Sequence, residues 1–167
     1  AYQTLAAGEV ARYGGHVARF LGDGVLAYFG WPRADEDEAE HAVRAGLGIT
    51  GAVGRLATPA GEPLTVRVGI ATGLVVVGEL IGEGPAREED VVGETPNLAA
   101  RLQAAAEPGT VAIADATRRL LGRRFVLHDL GRLRLKGFAL PIQAWRVLGA
   151  DGDRDRFTAL RGAPRGP

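Results

Sequence analysis

Asp23 stands between Gly22 and Gly24, with apolar runs on both sides. Such a triplet makes a good hairpin turn in its own right. It also holds a carboxylate at a hairpin tip, where its oxygens can meet a hard cation such as Mg²⁺ or Mn²⁺. Arg19, four residues earlier, lies on the same strand face by period-two counting; alone, it reads as a solvated surface arginine. Asn97 and Arg101 are four residues apart in a segment of helical character, hence on one face and near its start. They form either an ordinary polar helix face or an amide and a guanidinium able to hold a sugar and a developing phosphoryl charge. Asp90 precedes that helix in an otherwise apolar Val-Val strand, where a carboxylate needs a partner or a cleft. Lys136 follows the apolar Leu133 and Leu135 and precedes Gly137, so it can reach from a strand end toward phosphate. It is the single lysine among 20 lysines and arginines.

Other chemistries are excluded by composition. The chain has no cysteine, which removes thiolate metal sites, iron–sulfur clusters and cysteine nucleophiles. It has no serine either, so serine-nucleophile schemes fall away. His16, His41 and His128 are scattered without metal-ligand spacing. The glycine-rich stretch Gly78 to Gly84 lacks the Gly-Lys-Ser/Thr ending of a phosphate loop.

The elements that must position these residues follow from periodicity. Tyr2, Leu5, Ala6, Val10 and Tyr13 recur at helical spacing up to Gly14-Gly15. His16–Leu21 and Val25–Phe29 flank the Gly/Asp turn and predict a hairpin. A second helix carries Ala39, Ala42, Val43, Gly46 and Leu47 on one face, its acidic start at Asp35 to Glu38 suiting the positive end of the helix dipole. Leu64 to Thr72 alternates as a strand, and Leu74 to Val77 reads as its hairpin partner. Gly78 to Glu88 reads as a loop and Asp90 to Val92 as a short buried strand. The helix bearing Asn97 starts near Pro96, a residue favoured in a first turn, and runs to about Ala106. Val111–Ala114, Phe125–Leu130, Leu133–Leu135 and Ile142–Leu148 read as strands, with a short helix at Asp115–Leu121. Mixed strands, hairpins and helices predict an α+β sandwich with helices packed on a mainly antiparallel sheet.

At 167 residues, 46% hydrophobic and 24% charged, the chain is the size and composition of one globular domain. Its formal net charge of +0 gives no long-range attraction to nucleic acid or an anionic membrane. No apolar run approaches the ~18 residues of a membrane span and no secretory leader is visible, so a soluble cytoplasmic domain is expected. Residues 149–167 are rich in Gly, Asp, Arg and Pro with little to bury, and are expected to form a linker or tail after a domain at 1–148.

The order of these segments resembles a known family. Gly14-Gly-His-Val-Ala-Arg-Phe-Leu-Gly-Asp-Gly-Val-Leu-Ala-Tyr-Phe-Gly30 resembles the metal-binding hairpin of class III nucleotidyl cyclases, and Asp35 to Leu47 is similar to the helix after it. Val68-Gly-Ile-Ala-Thr-Gly73 matches the next strand. Asp90-Val-Val-Gly-Glu-Thr-Pro-Asn-Leu-Ala-Ala-Arg-Leu102 matches the Asn-x-x-x-Arg helix, and Leu133-Arg-Leu-Lys-Gly137 the closing hairpin. The resemblance covers about residues 1–148. It implies a ferredoxin-like class III cyclase sandwich and an adenylate cyclase of the bacterial type, converting ATP to 3′,5′-cyclic AMP and pyrophosphate.

Residue by residue, the resemblance implies that Asp23 is one of two carboxylates holding two Mg²⁺ or Mn²⁺ ions per site. Asn97 and Arg101 would position ribose and steady charge at the α-phosphorus, and Lys136 would grip the triphosphate. Asp90 would accept from the adenine amino group. Arg19 stands where the family usually has a purine-binding lysine, an exchange that is not neutral. The family works as dimers with shared sites, so Asp23 of one subunit would serve the site built from Arg19, Asp90, Asn97, Arg101 and Lys136 of the other. The family's opening strand, with the other metal carboxylate, is expected ahead of Gly14 and does not appear in the sequence. Asp155 to Arg161 resembles a linker that in multidomain members leads to a regulatory ATPase region. A catalytically silent cyclase-like module that dimerises and binds nucleotide is the alternative. A cyclic-dinucleotide synthase palm is disfavoured for want of a Gly-Gly-Asp/Glu-Glu-Phe signature.

Overall fold

The computed structural model describes residues 2–22, 24–30, 36–56, 59–62, 64–73, 76–79, 89–92 and 94–150, with the side chains at 21, 76–79 and 89–92 outside that description. Helix α1 (Tyr2–Arg12) buries Ala6 and Val10 and stops at Gly14, whose φ of +83° disfavours any residue with a β-carbon. Strands β1 (His16–Leu21) and β2 (Gly24–Tyr28) pair antiparallel as the expected hairpin. Helix α2 (Glu38–Gly54) follows, with Glu38 and Glu40 in its first turn.

The rest of the chain builds the main sheet. Strand β3 (Val68–Ile70) is followed by a hairpin of β4 (Val76–Glu79) and β5 (Glu89–Val92), then helix α3 (Glu94–Ala105). Strand β6 (Val111–Ala114), helix α4 (Asp115–Leu121), and strands β7 (Phe125–Leu133) and β8 (Ile142–Ala150) complete the described chain. The four-stranded sheet runs β3-β6-β8-β7, parallel between β3 and β6 and antiparallel elsewhere. This is an α+β architecture of largely antiparallel pairing, as the sequence predicts.

Strand β6 is the hub, and all four of its residues are buried. Successive side chains point to opposite faces. Val111 and Ile113 therefore enter a core with Val43 of α2, Leu121 of α4, Phe125 and Val147. Ala112 and Ala114 face the other way, into a core with Leu102 and Ala106 from α3 and its end, Leu135 and Ala144. Helices on both faces explain why β6 reads as an unbroken apolar run rather than an alternation. A third core joins α1 to α2 through Ala6, Val10, Ile49 and Val53.

Two glycines set the spacing of these layers. A β-carbon on Gly69 would run into the backbone of α3 at the Ala99 carbonyl oxygen and the Gln103 nitrogen. Helix α3 therefore rests directly on the backbone of β3. From the other face, Gly46 of α2 brings Val68 within 3.2 Å of the place a β-carbon would occupy.

The structure corrects several expectations. Leu64–Thr72 and Leu74–Val77 do not form a hairpin. The strand is limited to 68–70 and pairs in parallel with β6, while Val76–Glu79 pair with Glu89–Val92. Here Thr72 Oγ1 is 2.8 Å from Oγ1 of the fully buried Thr117, and Gly73 lies against the Thr95 side chain, so the chain is held away from a tight return. Phe125–Leu130 and Leu133–Leu135 are not two strands. One strand continues to Leu133 because Gly131, at φ +78°, absorbs an irregularity while Asp129 accepts its N–H. Gly78 and Glu79 belong to β4 rather than to the loop expected at 78–88; residues 80–88 of that loop and 151–167 of the tail expected at 149–167 lie outside the described residues, while Gly149 and Ala150 close β8.

A slot of about 260 Å³ opens between β2 and β3, bordered by Val25–Phe29 on one side and Val66–Gly73 on the other. Helices α1, α2 and α3 also line it. Among the described residues, β2 has no partner strand on the side away from β1, and β3 none on the side away from β6. No helix among the described residues is long and apolar enough to cross a membrane.

Candidate active site

Helix α3 has two faces of opposite character. Leu98 and Leu102 turn inward, Leu102 completely buried, while Asn97 and Arg101 are exposed side by side one turn apart. Pro96 lies in the first turn, where its missing N–H costs nothing, and the helix gives way to the turn at Pro108-Gly109.

Lys136 comes from the connection between β7 and β8. That connection is fixed on both sides of the lysine. Leu135 is 8% exposed and Phe138 packs beside it, both in the cluster that holds Leu102. The Phe138 N–H donates to the Leu135 carbonyl at 3.1 Å, and Gly137 takes the left-handed φ of +89° the turn demands. Each cation thus adjoins a leucine of the same core: Arg101 precedes Leu102, and Lys136 follows Leu135. The packing of those two leucines sets the distance between a guanidinium and an ammonium far apart in sequence.

Glu94, Asn97, Arg101, Lys136, Gly137 and Phe138 line one open cleft of about 430 Å³, a volume suited to a small ligand. No hydrogen bond or ion pair among the described residues engages the side chains of Asn97, Arg101 or Lys136. Two cations and an amide left available in one cleft are suited to a phosphorylated ligand with hydroxyls. Phe138 adds an apolar wall.

The remaining candidates are placed less fully. Arg19 is half-buried in β1, opposite Leu26 of β2. Asp90 stands in β5 opposite Gly78 of β4, and its side chain is outside the described residues. β5 contacts both β1 and α3, so it bridges the strand of Arg19 and the helix of Asn97. Asp23 lies outside the described residues. Among the described residues, no group of three or more His, Asp or Glu side chains could hold a metal ion.

Among the described residues the most strongly shifted carboxyl belongs to Asp115, away from this cleft. Hydrogen bonds from Arg118 first, then from Trp145 and Arg119, hold it down at about 2. The Arg118 guanidinium also stacks over the Trp145 ring, 5.1 Å from its centroid, so this cluster pins α4 to β8. Sequence reading missed Glu94 and Phe138 as cleft residues. Glu94 escaped because the helix was expected to start near Pro96; α3 in fact begins at Glu94 and carries it on the face of Asn97.

These features accord with the relatives of the chain. The adenylate and guanylate cyclase catalytic domain matches residues 11–149, and the chain belongs to that family. An uncharacterized protein of Rhizobium meliloti is 41% identical over 161 residues, which are 96% of this chain and 16% of that protein. An adenylate cyclase of Mycobacterium tuberculosis (strain H37Rv) is 30% identical over 141 residues, 84% of this chain and 31% of that enzyme. The chain thus spans less than a third of either relative. Among solved structures, the guanylate cyclase domain of RhGC from Catenaria anguillulae in complex with GTP superposes with a TM-score of 0.80 at 26% identity, covering 89% of this chain and 80% of that one. The matches include both adenylate and guanylate cyclases.

Proposed function

We propose that this chain is the catalytic domain of an adenylate cyclase, closing ATP to 3′,5′-cyclic AMP with release of pyrophosphate. The observation that carries the reading is the convergence of Asn97, Arg101 and Lys136 in one cleft, without protein partners among the described residues. In the reaction the ribose 3′-oxygen bonds to the α-phosphorus, the bond from that phosphorus to the bridging oxygen of pyrophosphate breaks, and the 3′-hydroxyl proton is lost. Asn97 orients the ribose so that its 3′-oxygen lies in line with the leaving group. Arg101 offsets charge on the α-phosphoryl oxygens as the bond order shifts. Lys136 holds the β- and γ-phosphates. Asp90 accepts from the adenine amino group, and Arg19 donates to a purine ring nitrogen.

Asp23 is the residue this chain offers to Mg²⁺ or Mn²⁺, which in paired sites stabilise attacking and leaving oxygens together. Its counterpart carboxylate belongs to the family's opening strand. The slot between β2 and β3 is consistent with a place for that strand, each bordering edge being unpaired among the described residues. The working unit is a homodimer in which Asp23 of one subunit completes the site of the other.

The open slot also favours a second reading, a cyclase-like module that dimerises and binds nucleotide without turnover. The two are separated by incubating the full-length protein with Mn²⁺ and either ATP or GTP and identifying products by mass. Cyclic AMP from ATP supports the adenylate cyclase, cyclic GMP reassigns the base, and no cyclic product from folded, dimeric protein leaves the silent module.

A further inference from the structure

A carboxylate in a triphosphate cleft repels phosphate oxygens, so its presence there calls for another ligand group. Glu94 lines the cleft with Asn97, Arg101 and Lys136 and is exposed in the first turn of α3. Glu94, Asn97 and Arg101 fall at i, i+3 and i+7, one stripe along the helix. At a rise of about 1.5 Å per residue, Glu94 precedes Asn97 by about 4.5 Å along the axis and Arg101 follows by about 6 Å. No hydrogen bond or ion pair among the described residues engages the Glu94 carboxylate, so no described protein group accounts for it.

We infer that Glu94 accepts a hydrogen bond from the ribose 2′-hydroxyl and thereby selects ribonucleotides over 2′-deoxyribonucleotides. The inference rests on the cyclase reading, in which Asn97 faces the ribose and Arg101 the α-phosphoryl group. Those two contacts fix the direction of the nucleotide along α3, with the phosphates toward the C-terminal end of the stripe. Glu94 then stands beyond the ribose on the side away from phosphate. The 3′-hydroxyl is committed to the attack, which leaves the 2′-hydroxyl as the sugar's remaining donor. An ionised carboxylate can only accept, and acidic side chains serve the same hydroxyl in dinucleotide-binding sites. Its charge also disfavours a phosphate entering in the reverse orientation.

The test is kcat/KM for ATP and for 2′-deoxy-ATP in the full-length protein, with Glu94→Ala and Glu94→Gln beside the wild type. The wild type is expected to prefer ATP by about tenfold or more, the scale of a hydrogen bond to a charged group. Glu94→Ala should bring the preference close to unity, and Glu94→Gln, which keeps an acceptor oxygen without the charge, should fall between. A variant that changes both substrates by the same factor overturns the inference and makes Glu94 a positioning partner of the cations. A wild type with no preference overturns it as well. Should the wild type turn over neither nucleotide, the cyclase reading fails separately. Competitive binding of the two nucleotides then reads the same preference, and equal affinities overturn the inference.

Discussion

Replacing Gly69 by alanine adds one methyl group between β3 and α3, and the packing there leaves it no room. The new carbon would lie 3.0 Å from Gln103 Cα and closer still to the Ala99 carbonyl oxygen and the Gln103 nitrogen, where ordinary van der Waals contact begins at 3.4 Å. All three are backbone atoms, so no side chain can swing aside. The helix must lift or slide as a body, by about 1 Å. Overpacking of this kind costs roughly 1–3 kcal/mol of stability. The functional cost follows from what each element carries: Asn97 and Arg101 ride on α3, whereas Lys136 is tied to the β7–β8 connection. A displacement of about 1 Å between the ribose-orienting pair and the phosphate anchor is enough to cost about 10²-fold in rate. The account therefore expects Gly69→Ala to lower kcat about 100-fold while KM for the nucleotide changes by less than about tenfold. Pyrophosphate release measured against ATP concentration reads both, with thermal unfolding run alongside to show that the variant is folded. A folded Gly69→Ala with kcat within about threefold of wild type would refute the claim that this close approach positions the site.

Further expectations concern the cleft, the slot and the α4 cluster. Arg101→Ala should lower kcat by about 10²–10³-fold with little change in nucleotide affinity, the scale of losing one preorganised donor to developing charge; steady-state kinetics with a direct binding measurement checks it. Lys136→Ala should raise KM more than it lowers kcat, since the triphosphate is held in ground and transition states alike. Asp115 has its folded value lowered from 3.8 to about 2, so its stabilisation is complete above about pH 4 and disappears as pH falls through 2. Discounted for partial exposure, that amounts to about 1 kcal/mol. Asp115→Asn should therefore be less stable at neutral pH by about that amount, and its urea-unfolding curve should converge with wild type near pH 2; a constant difference across that range refutes the assignment. Hydrogen exchange tests the slot: amides on the β2 and β3 edges facing it should exchange fast in the 167-residue chain and become protected once the family's opening strand is present.

Local chemistry made much of this legible beforehand. Gly22-Asp23-Gly24 announces the β1–β2 hairpin, and Asp115–Leu121 has the bounds its sequence suggests, because turns and short helices are set by adjacent residues. The partner of β3 was not readable. A three-residue strand has no local preference between a hairpin neighbour and a distant parallel one, and burial against β6 decides it. Gly131 looked like the end of a strand because a glycine with positive φ serves bulges and turns equally well.

The site divides in the same way. Asn97 and Arg101 could be paired from helical spacing alone. Their meeting with Lys136 depends on Leu102 and Leu135 sharing a core, which no spacing rule discloses. Glu94 was passed over because the helix was expected to start near Pro96, which left Glu94 ahead of it, whereas α3 begins at Glu94.

The central claim is that the Asn97–Arg101–Lys136 cleft performs chemistry rather than merely holding nucleotide. The most direct measurement is the yield of cyclic AMP and pyrophosphate from ATP and Mn²⁺ by full-length wild type and Arg101→Ala, each confirmed folded and able to bind nucleotide. The account predicts equimolar cyclic AMP and pyrophosphate from wild type and near-complete loss from the variant at retained binding. Bound nucleotide with no product from either protein, or equal turnover by both, would contradict it.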